Sequence, residues 1–146
     1  MAANIDVFSS LEISNTSGNP FIISGQVNNG TTTFDGGVFQ LFAPNNTHMR
    51  IEPTAIVEVN DQRAVQGHPL VYGTLQFNPG LGNISLVGLS ATGTTDINDN
   101  TLFLHDGNIT GPIINSSGNG NLTKFVYHVL TLGGIKALLT KDILPN

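Results

Sequence analysis

Along most of this chain, apolar residues recur in runs of period 2 that Gly, Asn, Pro or Asp soon cut short. Alternation of that kind places successive side chains on opposite faces of an extended backbone, and so it predicts β-strands. The expected strands are 5–13, 20–27, 32–42, 49–59, 70–77, 83–91, 101–105, 108–115 and 124–132. Ala55, Val57 and Val59 alternate with Ile56 and Glu58. Phe125, Tyr127 and Val129 alternate with Val126, His128 and Leu130, and apolar side chains on both faces predict a buried central strand. Ahead of residue 133 no segment carries a 3.6-residue repeat. After Gly133-Gly134, however, Ile135, Leu138, Leu139 and Ile143 are spaced for one short amphipathic helix, with a final strand as the alternative.

The punctuation is explicit. Asp35-Gly36 and Asp106-Gly107 are the dipeptides favoured where a two-residue hairpin requires positive φ. Asn-Pro-Gly at 78–80 and Ser-Gly-Asn-Gly at 117–120 read as longer turns. Pro112 cannot donate to a ladder, so its segment belongs on a sheet edge or is broken there. No internal repeat of fixed period stands out, and there is no linker. Eight or nine short strands within one domain-sized chain therefore predict a single all-β domain over 1–146. Its expected architecture is an antiparallel β-sandwich, jelly-roll-like, with one short C-terminal helix.

Composition narrows the function classes. Only 10% of the 146 residues are charged, against about 25% in an ordinary soluble domain. Amides, hydroxyls and 17 glycines take their place. Such a surface suits extracellular, virion-surface or sugar-facing β-proteins, and its weak self-repulsion suits a chain that assembles. The net charge is −5, and five scattered cations cannot neutralise a run of phosphates, so nucleic acid and anionic membranes are poor partners. There is no cysteine to form a disulfide, a zinc thiolate or a thiol nucleophile. The first residues lack the basic and apolar regions of a signal peptide, and no apolar run is long enough for a membrane helix. Seven N-x-S/T triplets, starting at Asn15, Asn29, Asn45, Asn83, Asn108, Asn115 and Asn121, are glycosylation acceptors only in a secretory setting.

Candidate chemistry is sparse. His105 and Asp106 are adjacent, so on a strand they point to opposite faces and are poorly placed to share a proton. The hairpin turn accounts for Asp106-Gly107 without any reaction. His48, His68, His105 and His128 show no H-x-H, H-x-x-x-H or H-E-x-x-H spacing. Asp96-Ile97-Asn98-Asp99-Asn100 opens like an EF-hand loop, which makes Asp96, Asn98 and Asn100 the candidate ligands for calcium. Thr101 and Gly107 stand where that motif needs Gly and Glu, so a solvated polar turn is the competing reading. No G-x-S-x-G elbow or phosphate-cradling loop is present. Glu52, Glu58 and Asp61 are near one another in sequence, but exposed strands carry such acids routinely.

The expectation is a non-enzymatic structural subunit of an extracellular or virion-surface assembly. It would act through contacts with copies of itself or with a larger shell or filament protein. The alternative is a carbohydrate-binding, lectin-like module that reads glycans through loop amides, with calcium at Asp96–Asn100. The lack of tryptophan thins that second reading.

Overall fold

The computed structural model describes residues 1–124 and 129–133. It contains short strands in chain order: β1 (Ile5–Asp6), β2 (Ser10–Ser14), β3 (Phe21–Ile23), β4 (Val27–Asp35), β5 (Gly37–Leu41), β6 (Asn45–Ile51), β7 (Ala55–Val59) and β8 (Leu70–Val71). They continue as β9 (Thr74–Phe77), β10 (Asn83–Ala91), β11 (Thr94–Asp96), β12 (Thr101–Ile109), β13 (Ile113–Ile114), β14 (Asn121–Lys124) and β15 (Leu130–Leu132). Every pairing between them is parallel.

One sheet runs β1-β4-β6-β8-β10-β12-β14, with β2 also on β4 and β15 also on β12; the other runs β13-β11-β9-β7-β5-β3. From β2 to β14 successive strands alternate between the sheets, so the chain winds as a parallel β-solenoid of about seven turns. This overturns the expected antiparallel sandwich and jelly roll. The helix expected at 135–143 and the middle of the strand expected at 124–132 lie outside the described residues.

Register shows the winding directly. Phe21 lies beside Phe39, Gly37 beside Ala55, Ile56 beside Thr74 and Thr95 beside Ile113, so the second sheet returns at one interval except between β9 and β11, where Leu75 stands beside Thr95 at a slightly longer one. On the first sheet Arg50, Leu70 and Ser90 stand side by side at a slightly longer one. The interval is shortest between Thr31 and His48 and longest between Gly107 and Leu130, so no fixed period marks the sequence.

Several expected strands each contain a corner. Segment 32–42 crosses from β4 to β5 at Asp35-Gly36, and 70–77 crosses from β8 to β9 at Tyr72-Gly73. Gly36 and Gly37 have φ of 75° and 79°, so a turn does form there, but it delivers the chain to the other sheet rather than back along its neighbour. Asp106-Gly107 is not a turn at all. Both residues lie inside β12, paired with Gly88 and Leu89 of β10.

The corners repeat one hydrogen-bond pattern. Ile51 O accepts from the amides of Tyr72 and Gly73, Val71 O from Thr92 and Gly93, and Ala91 O from Thr110 and Gly111. Stacked backbones leave no space for a side chain here. A Cβ at Gly93 would lie 1.9 Å from Gly73 O, and one at Gly111 would lie 2.0 Å from Gly93 O. Inward-facing residues of the two sheets meet between them, Phe34 against Phe39 with ring centroids 4.9 Å apart, and Leu41, Ile51, Val57, Leu75, Leu89 and Leu104 are buried with them. Burial of this apolar surface is the main term stabilising the stack.

Candidate functional site

The regular ladder is interrupted in three places on one face. At Asn29-Gly30 both residues have positive φ, 63° and 59°, and the register of β4 on β6 shifts between Asn28 and Thr31, the signature of a bulge. The next turn contributes only the two residues of β8 to this sheet, preceded by a loop over 60–69, whereas β6 supplies seven and β10 nine. In β10, Ile84 and Leu86 are buried and then Leu89 and Ala91, so the inward phase slips by one residue around Val87-Gly88. Together these departures open a groove of about 480 Å³, lined by Gly30, Asn46, Thr47, His48, Gln66, Gly67, His68 and Val87.

His68 links the groove to the ladder. Its Nε2 is 2.8 Å from Ser90 Oγ in β10, and its Nδ1 is 3.5 Å from Asp106 Oδ1 in β12. Gly88 makes this meeting possible, because a Cβ there would lie 2.2 Å from Asp106 Oδ1 and 2.5 Å from His68 Nδ1. The side chains of His68 and Asp106 are 35% and 38% exposed, open to solvent yet held at two points. Asp106 therefore faces the imidazole of another turn rather than only its sequence neighbour His105. Sequence reading weighed His68 and Asp106 but missed Ser90 and the meeting of the three, because they lie far apart along the chain and only the parallel register brings them together.

Asp96, Asn98 and Asn100 occupy a corner where three turns are stitched to one another. Asp96 accepts from Ser116, at 3.2 Å from its backbone N and 2.6 Å from its Oγ. Asn98 Oδ1 accepts from Ser117 Oγ. Asn100 is 1% exposed; its amide donates to the carbonyls of Asn78, Ile97 and Asn98, and its Oδ1 accepts from Gly82 N. Asn98 and Asp99 take φ of 48° and 69°, a left-handed turn that short polar side chains tolerate. Each candidate ligand thus has a hydrogen-bonding task of its own. Among the described residues no group of three His, Cys, Asp or Glu is placed to share an ion.

The remaining acids separate. Glu52 pairs with Arg50, which lies 4.9 Å over the Tyr72 ring; hydrogen bonding to Glu52 and its charge hold the Arg50 guanidinium above its ordinary value. Glu58 is on the other sheet, accepting from Gln40 at 2.8 Å. Asp61 takes Arg63 Nη2 at 3.1 Å and Arg63 N at 2.8 Å, and those bonds hold its carboxyl below the usual range. Glu12, Asp35 and Glu52 line a separate hollow of about 270 Å³. Of the N-x-S/T asparagines, Asn15, Asn45 and Asn115 are buried and hydrogen-bonded within the fold, which removes them as acceptors in the folded chain. His128 lies outside the described residues. No protein family, curated protein or solved structure matches the chain.

Proposed function

We propose that this chain is a structural subunit of an extracellular or virion-surface assembly, acting through contacts with copies of itself or with a larger shell or filament protein. The carrying observation is the uncovered end of the core. The inward column Phe21–Phe39–Val57–Leu75 stacks one residue per turn. Phe39, Val57 and Leu75 are fully buried, but Phe21, with one turn on one side only, is 37% exposed. Repeat folds need a polar cap at such an end, or another molecule on it.

The strand that ends the sheet here, Phe-Ile-Ile in β3, carries no charge, and Ile22 is 50% exposed. An apolar edge strand without charge is a template for association. Met1 pairs with part of this edge, its ammonium donating to Ile22 O at 2.6 Å and its carbonyl accepting from Ser24 N at 2.8 Å, yet Phe21 and Ile22 stay exposed. Low surface charge supports the same reading, since it lowers repulsion between copies.

Native mass measured by light scattering across the micromolar range tests it. The expected result is concentration-dependent association that Phe21→Asp abolishes without changing the far-ultraviolet circular dichroism. A wild-type chain that stays monomeric, alone and with its shell or filament fraction, overturns the proposal.

A further inference from the structure

We propose that Ser90, His68 and Asp106 form a hydrolytic site for small-acyl esters of polyhydroxylated alcohols, a capacity separate from assembly. Three successive turns supply one residue each: His68 stands just before β8, which pairs with β10 at Leu70 and Ser90, and β10 pairs with β12 at Gly88 and Asp106. The contacts come in the order that activates a hydroxyl. A carboxylate lies beside one ring nitrogen and a serine oxygen beside the other, 3.5 Å and 2.8 Å away. Resting sites often hold one such contact long and tighten it around substrate.

Gly88 makes room for the pair. Its missing side chain is the space that the imidazole and the carboxylate occupy, and any larger residue would drive them apart. Of the three residues His68 lines the groove, and the groove's chemistry indicates the substrate. Asn46, Thr47 and Gln66 offer amides and a hydroxyl, no acid, lysine or arginine among the described residues lines it, and Val87, 59% exposed, supplies an apolar spot. Such a lining suits an uncharged hydroxylated chain bearing a small acyl group.

The chemistry balances with water as the only co-reactant. Ser90 Oγ bonds to the acyl carbon while His68 Nε2 takes its proton. The ester C–O bond then breaks, and the alcohol leaves with that proton. Water, losing a proton to His68, adds to the acyl-serine; the C–Oγ bond breaks, the carboxylic acid departs and Ser90 regains its proton. Asp106 is a positioning residue that holds the imidazole in the tautomer with Nδ1 protonated.

Two readouts on the full chain decide the matter. A fluorophosphonate probe should add once, and peptide mapping should place it on Ser90. Hydrolysis of p-nitrophenyl acetate should saturate and fall about 10³-fold in Ser90→Ala. Asp106→Asn should lower kcat by about 10²-fold or more with KM unchanged, and Gly88→Ala should do likewise. Unaltered circular dichroism in all three variants would separate loss of chemistry from loss of fold. A probe that does not label Ser90, or ester hydrolysis that survives Ser90→Ala, overturns the proposal and leaves the assembly reading standing.

Discussion

Gly93 sits where three backbones come closest, and its sign of φ is not the constraint; space is. Replacing it with alanine drives a methyl group into the Gly73 carbonyl, which backbone on both sides keeps from moving away. The expected cost for Gly93→Ala is about 1–3 kcal/mol, read from chemical denaturation. Asn100 makes the complementary case for a polar residue. Its buried amide joins the turns at 78–82 and 96–100, so Asn100→Ala strands carbonyls that have no water, at a cost of about 1–3 kcal/mol. The calcium expectation is tested at the same corner. Because the Asp96 oxygens already take the Ser116 hydroxyl and amide, the melting temperature should be equal in millimolar calcium and in chelator. A rise that Asp96→Ala removes would restore Asp96, Asn98 and Asn100 as ligands.

At the scale of elements, the loop from Asp61 to Pro69 carries both the groove wall and His68, and the Asp61–Arg63 turn starts it. Arg63 O in turn accepts from Asn45 N at 3.1 Å and from Gln66 Nε2 at 3.0 Å, tying the loop to β6. The Asp61 carboxyl is held below its unfolded value by Arg63, so its contribution is complete above the unfolded value and is lost as pH falls through the lower folded one. Asp61→Asn should therefore destabilise at neutral pH, and the gap in melting temperature to wild type should close on acidification. The strands themselves were legible in the sequence, because Met49 and Ile51 alternate with His48, Arg50 and Glu52 as any half-buried strand does. The partners were not. Alternation reports which face a side chain takes, and a strand obeys it equally beside a parallel or an antiparallel neighbour. Asp35-Gly36 similarly announces a bend without stating where the chain goes next. One clue was present: Val-Tyr-Gly-Thr at 71–74, Ala-Thr-Gly-Thr at 91–94 and Ile-Thr-Gly-Pro at 109–112 share the glycine that these three stacked corners need. The site was less legible still. His68, Ser90 and Asp106 have no spacing that signals chemistry until Leu70 is known to stand beside Ser90 and Gly88 beside Asp106.

For the whole molecule, the decisive property is that each turn touches only the turns before and after it, which makes stability a chain of neighbour terms rather than one indivisible core. An antiparallel sandwich cannot lose a strand from its middle, because every later strand would change partner and direction. This solenoid can. Deleting residues 56–73 joins Ala55 to Thr74, which already stands beside Ile56 in register, so the new chain enters β9 in the place of β7. On the other sheet, Arg50 and Ser90 are now two turns apart and would become neighbours across one. The chain left between them would be longer than that from Thr31 to His48 and shorter than that from Gly107 to Leu130, so a single turn can hold it. The shortened chain should therefore fold, with the same far-ultraviolet spectrum per residue, one cooperative transition and a lower melting temperature. It would keep Phe21 at its open end and hence its association. It would lose His68, and with it ester hydrolysis and labelling of Ser90. Collapse of the shortened chain into an unfolded or aggregated state would show that the turns are not interchangeable units, and a folded product that still labels at Ser90 would remove His68 from the chemistry.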